Sequence, residues 1–98
     1  MNLLPGSQRR TSDGVVGTSG KPIRLFCVSL VSDSGGATTV SLLNGTTANG
    51  TQFGLASTSA ASSGSVTNFA GGLRFPDGLF VDVGSNIGSA TFVYTEEF

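Results

Sequence analysis

The residues of this chain that could do chemistry are few and lie far apart. There is one cysteine, Cys27, and no histidine, so neither a cysteine nor a serine nucleophile has an imidazole to activate it. Serine is abundant, yet no Gly-x-Ser-x-Gly elbow occurs. Zinc and iron sites lean on His and Cys, which excludes them here. The six carboxylates, Asp13, Asp33, Asp77, Asp82, Glu96 and Glu97, are scattered; ligands shared between two subunits are the one arrangement that could still gather enough oxygens for calcium. Acid–base chemistry would need Asp77 and Asp82 side by side with one in an apolar pocket. Their surroundings instead predict a turn residue and a solvent-facing strand residue. Gly84-Ser85-Asn86-Ile87-Gly88 is glycine-rich, but no helix follows to receive a phosphate. A sugar-stacking site would have to use Tyr94, the only aromatic with a polar edge; the seven phenylalanines fit core and interface packing. Neither catalysis nor a cofactor is expected.

Composition narrows the class further. A length of 98 residues allows one domain. Charged residues are 11%, less than half the usual share, and the net charge is −1. Ser, Thr and Gly together supply 40 of the 98 residues. Such a surface loses little solvation when a neighbouring molecule covers it. Five basic residues cannot neutralise many phosphates, so nucleic acid is not the expected partner. The single cysteine allows no internal disulfide. No run reaches the ~20 apolar residues of a membrane span, and Leu3-Leu4-Pro5 is too short for a signal core. Synthesis in a cytosol is the expectation.

The elements that must carry these residues are strands. The stretch from Gly71 to Gly84 holds a turn at Phe75-Pro76-Asp77-Gly78, with Leu73 and Phe75 sharing a face before it and Leu79, Val81 and Val83 after it. This predicts a tight β-hairpin lying on a second sheet. Residues 23–31 predict a long central strand, with Ile23, Leu25, Cys27 and Val31 on one face and Arg24, Phe26, Val28 and Leu30 on the other; Cys27 is then a core residue. Further strands are predicted around Val15-Val16, 37–43, 51–56 (Phe53 and Leu55 inward), 66–69 and 90–95. In the last of these Ala90, Phe92 and Tyr94 oppose Thr91, Val93 and Thr95. Asn44-Gly45 and Asn49-Gly50 are turn signals, and although both match glycosylation sequons they are read as turns. Residues 1–13 show no period and predict an extended N-terminal arm, with residues 14–98 as the folded domain. On that arm Leu3 and Leu4 would anchor to a neighbouring subunit, while Arg9 and Arg10 would meet acidic groups. Glu96-Glu97-Phe98 reads as a solvated acidic end, or as the docking point for those arginines. The sum is an all-β fold, a small antiparallel sandwich or barrel of seven or eight short strands.

Three motifs carry a resemblance. They are Gly17-Thr18-Ser19-Gly20-Lys21-Pro22 running into the long strand, Leu43-Asn44-Gly45-Thr46, and the stretch from Gly72 through Phe75-Pro76-Asp77-Gly78 to Asp82-Val83. Over about residues 14–96 the chain resembles small virion proteins of tailed bacteriophages. The resemblance implies a structural β-sandwich present in many copies on a capsid or tail, and its motifs carry no active site. The function it implies is a capsid decoration (cement) protein on the outer surface of the head. Its partners would be the major capsid protein and copies of itself, as a homo-oligomer such as a trimer. The alternative is a tail, fibre or head–tail connector module that binds a receptor or glycan.

Overall fold

The computed structural model describes residues 3–97, and side chains from Gly6 to Glu97. Eight strands run in chain order: β1 (Leu3–Arg10), β2 (Gly14–Val16), β3 (Ile23–Ser32), β4 (Thr39–Asn44), β5 (Thr51–Ser57), β6 (Gly64–Phe75), β7 (Leu79–Val83) and β8 (Ile87–Glu97). They form two four-stranded antiparallel sheets. Sheet I has the order β1-β8-β3-β6 and sheet II the order β2-β7-β4-β5. The pairings β1·β8, β2·β7, β3·β6 and β4·β5 are nested, so the chain is one long hairpin rolled until alternate strands fall in opposite sheets. That is the jelly-roll form of the sandwich.

Rolling changes the meaning of the turn at Phe75-Pro76-Asp77-Gly78. Its local chemistry is as predicted: Gly78 N donates to Phe75 O at 3.2 Å, closing a turn with Pro76 and Asp77 in the middle. Gly78 has φ +104°, open mainly to glycine. Yet β6 lies in sheet I and β7 in sheet II, so the predicted hairpin is a crossover between sheets. The alternation holds and the pairing does not, because Leu73, Phe75, Leu79 and Val81 all face one core whichever sheet carries them. Only β4 and β5 are both consecutive and paired, joined by a loop of residues 45–50 rather than a two-residue turn.

The core is the space between the sheets. Phe75, Phe92, Ile23, Leu25, Leu30, Leu42 and Leu79 are its largest fully buried side chains. β3 supplies four of the core residues, and it does so by breaking its own alternation. Phe26 is an extra residue between Leu25, opposite Tyr94, and Cys27, opposite Val93. This bulge lets Ile23 and Leu25 point inward and then Val28 and Leu30 as well. Cys27, predicted in the core, therefore lies half-buried on the outer face, beside exposed Val93. A second irregularity, between Leu42 and Leu43 in the β4·β5 pairing, displaces the predicted inward alternation of β5. Leu55 is 51% exposed, and Phe53 stacks on Phe75 from the rim, ring centroids 5.5 Å apart, while Ala56 is buried.

The segment predicted as a separate arm is a strand of the sandwich. Leu3–Arg10 pairs along its length with β8 of the same chain. Met1 and Asn2 lie outside the described residues, as do the side chains of Leu3 and Leu4 on which the anchoring expectation rests. Gln8 and Arg10 tie the β1 edge to the β2 edge. Gln8 Nε2 donates to Val15 O at 3.2 Å and Gln8 Oε1 accepts from Gly17 N at 2.9 Å. Arg10 donates to the carbonyls of Ser12, Asp13 and Val15.

Replacing Phe92 by Ala removes a fully buried ring between the sheets and should cost about 3–5 kcal/mol. Val66→Thr on the outer face should change stability by less than about 0.5 kcal/mol. Urea unfolding of both variants checks the assignment of inside and outside; comparable losses would contradict it.

Candidate interaction surface

The conserving geometry of a sheet puts directly opposed residues on one face. Reading across sheet I, one outer row is Ser7–Val93–Cys27–Asn68, the next Arg9–Thr91–Ser29–Val66, and the third Ser89–Val31–Gly64. The only charge in these rows is Arg9, at the β1 edge. Among the described residues five large apolar side chains are exposed, and three of them lie here: Val66 at 62%, Val93 at 43% and Val31 at 42%. Four strands about 4.8 Å apart, over about five residues of each, make a patch of roughly 300 Å². It is rich in β-branched and hydroxyl-bearing side chains, with no acid or amine in its middle.

One end of this face is closed by a charged cluster. Arg74 donates to Glu97 through Nε at 3.1 Å and Nη2 at 3.0 Å, and Arg24 Nη2 lies 3.9 Å from the same carboxylate. The hydrogen bond from Arg74 holds the Glu97 carboxyl below its ordinary value; burial pushes the other way, and the charges of Arg74 and Arg24 add to the lowering. Arg74 is correspondingly raised, chiefly by the same bond. Glu96, on the inward side of β8, accepts from Thr18 N at 2.6 Å and Thr18 Oγ1 at 3.1 Å. The predicted solvated or docking tail is thus buried and internally paired at Glu96 and Glu97, because β8 continues through both. Arg10 is likewise committed to its own turn. Arg9 is the exposed member of the pair, free of ion pairs among the described residues.

The edges of both sheets are unsuited to adding a strand. β1 carries Pro5, and β2 is three residues long. β6 balloons: residues 69–72 stand against Phe26 alone, with Gly71 and Gly72 at φ +76° and +85°. The Arg24 side chain lies over Gly72 so closely that a Cβ there would collide with it, and Arg24 Nη1 donates to Gly71 O at 3.2 Å. β5 is irregular at Phe53. Bulges, a proline and brevity are the devices that keep an edge from recruiting another chain. Such devices leave the sheet faces, not the edges, as the open surfaces.

The remaining predicted residues fall into place around this frame. Asp77 is the turn residue expected, its main-chain N donating to Asn44 Oδ1 at 2.9 Å and its carboxylate accepting from Asn44 Nδ2 at 3.0 Å. Asp82 is exposed on the outside of sheet II, in a row with Ser41 and Leu55. Tyr94 turns inward beside Gly6; burial, with the nearby Glu96 charge, pushes its phenol up. It is not presented as a stacking platform. Among the described residues no three His, Cys, Asp or Glu side chains converge, and no pocket opens. The sequence did mark Thr91 and Val93 as sharing a face, but Val66, Ser29 and Cys27 were missed as their neighbours because the Phe26 bulge shifts the phase. Comparison with protein-family models, curated proteins and solved structures finds no match.

A carboxyl more acidic in the folded than in the unfolded chain stabilises the fold fully above its unfolded value, near 4.5 for Glu97, and that contribution fades as pH falls through the folded value. Glu97→Gln should therefore be less stable than the parent at neutral pH, with the difference shrinking as the solution is acidified below about 4.5. Urea midpoints across this range check it; a gap independent of pH would contradict the pairing.

Proposed function

We propose that this chain is a structural virion protein, a capsid decoration module that binds the head through the outer face of sheet I. The observation that carries the proposal is that face: nearly uncharged, with valines exposed along it, and set on a scaffold whose four edge strands resist pairing. The jelly roll supports it by analogy, since that architecture recurs in viral capsid domains, though folds host many functions. The partners are the major capsid protein and further copies of this chain. A standard interface takes about 800 Å² from each partner, so a patch of roughly 300 Å² holds weakly on its own. A shell presenting many sites compensates by avidity, and whatever binds only the assembled shell stabilises it by mass action. A glycan-binding fibre module is less favoured, because the tyrosine on which it depended faces inward.

Two measurements test this. Quantitative mass spectrometry of purified particles should find the chain in copy numbers comparable to the major capsid protein; a mere handful of copies would move it to the neck or tail, and absence would end the proposal. The double variant Val66→Glu, Val93→Glu should keep the parent's circular dichroism and fall off the particle in sedimentation. Retention on the particle by a folded double variant would contradict docking through sheet I.

A further inference from the structure

Two asparagines in this chain precede glycine, Asn44 and Asn49; the others precede Leu3, Phe69 and Ile87. An Asn-Gly pair can modify itself. The main-chain nitrogen of the glycine gives up its proton and attacks the side-chain Cγ, the Cγ–Nδ2 bond breaks, and ammonia leaves with the displaced nitrogen. The cyclic imide that results is opened by water at either carbonyl, giving aspartate or isoaspartate. The step needs no outside reagent but water. It does need a side-chain amide free to rotate and a main-chain N–H free to approach it, and a bulky following residue hinders that approach.

The fold gives the two pairs opposite circumstances. At Asn44 the amide is held at both ends by Asp77, Oδ1 accepting from Asp77 N at 2.9 Å and Nδ2 donating to Asp77 Oδ2 at 3.0 Å. The attacking nitrogen is also occupied, since Gly45 N donates to Gly78 O at 3.0 Å. Freeing this pair means undocking the crossover turn from the end of β4. At Asn49 the side chain is exposed, and its amide has no hydrogen-bond partner among the described residues. Gly50 N makes only a 3.2 Å bond to Thr47 O, inside the same loop of residues 45–50. Opening the turn at Asn49-Gly50 breaks only bonds within the loop, this one and the 3.2 Å bond from Asn49 N to Thr47 Oγ1.

We propose that Asn49 is a spontaneous deamidation and isoaspartate site, and that the fold protects Asn44 from the same fate through Asp77 and Gly78. Each event replaces a neutral amide by a carboxylate at the tip of sheet II and lengthens the loop backbone where isoaspartate forms. This inference does not depend on the capsid role.

Peptide mapping by mass spectrometry of the full chain, aged at mildly alkaline pH, tests it. In the folded protein, conversion at Asn49 should run several-fold ahead of Asn44; in urea the two should convert at similar rates. In Asp77→Ala, checked for folding by circular dichroism, Asn44 should begin to convert while Asn49 is unchanged. Should Asn44 keep pace with Asn49 in the folded parent, or Asn49 stay an amide where both convert in urea, the assignment fails.

Discussion

One inserted residue governs this molecule. β3 is an inner strand of sheet I and must feed the core along its length, but a regular strand of its sequence would place Val28 and Leu30 on the opposite face from Ile23 and Leu25. The bulge at Phe26 reverses the phase halfway, so all four enter the core. Everything on the other side follows. With the apolar residues of both halves turned in, the outer face inherits Cys27, Ser29 and Val31, and β8 and β6 bring Thr91, Val93 and Val66 alongside them. The same disturbance passes into β6, where the glycine pair at 71–72 gives Arg24 and Phe26 room to lie across it.

A sheet face made this way differs from the rest of the surface. Charge on the outer face of sheet I is gathered into the Glu97 cluster at one end and Arg9 at an edge, both away from the middle. Glu97 is satisfied by Arg74 and Arg24, so covering this region would strand no unpaired acid. The edges are blunted by Pro5, by the shortness of β2 and by bulges in β5 and β6. Covering the valines in the middle is favourable, and the hydroxyls beside them cost less to desolvate than charges would, provided a covering surface offers them hydrogen bonds. These features disfavour strand addition at an edge and leave the outer face of sheet I as the low-charge surface open to contact.

The sequence made the strands legible because period-2 alternation and turn residues are local properties. The all-β class, the eight-strand scale, the Pro76-Asp77 turn and the two faces of β8 could all be read this way. Pairing could not: whether Leu79 lies beside Leu73 or across the core from it depends on how a nested hairpin rolls, and both arrangements bury the same residues. Phase cannot be read past a bulge either, which is why Cys27 and Leu55 lie outside where alternation predicts them inside, and why Phe53 reaches the core only at its rim, against Phe75. The charged termini misled for a different reason. Gln8, Arg10, Glu96 and Glu97 have polar side chains that find partners far along the chain or in main-chain carbonyls, and no local pattern announces such pairing.

Cys27 lies in the middle of the face on which the account rests, and it is the only thiol in the chain. Its labelling by a small maleimide, compared between free protein and protein bound to purified particles, is the most direct measurement of whether that face is covered. Docking through sheet I requires modification of the free chain and protection on the particle. Equal labelling in both states would contradict it.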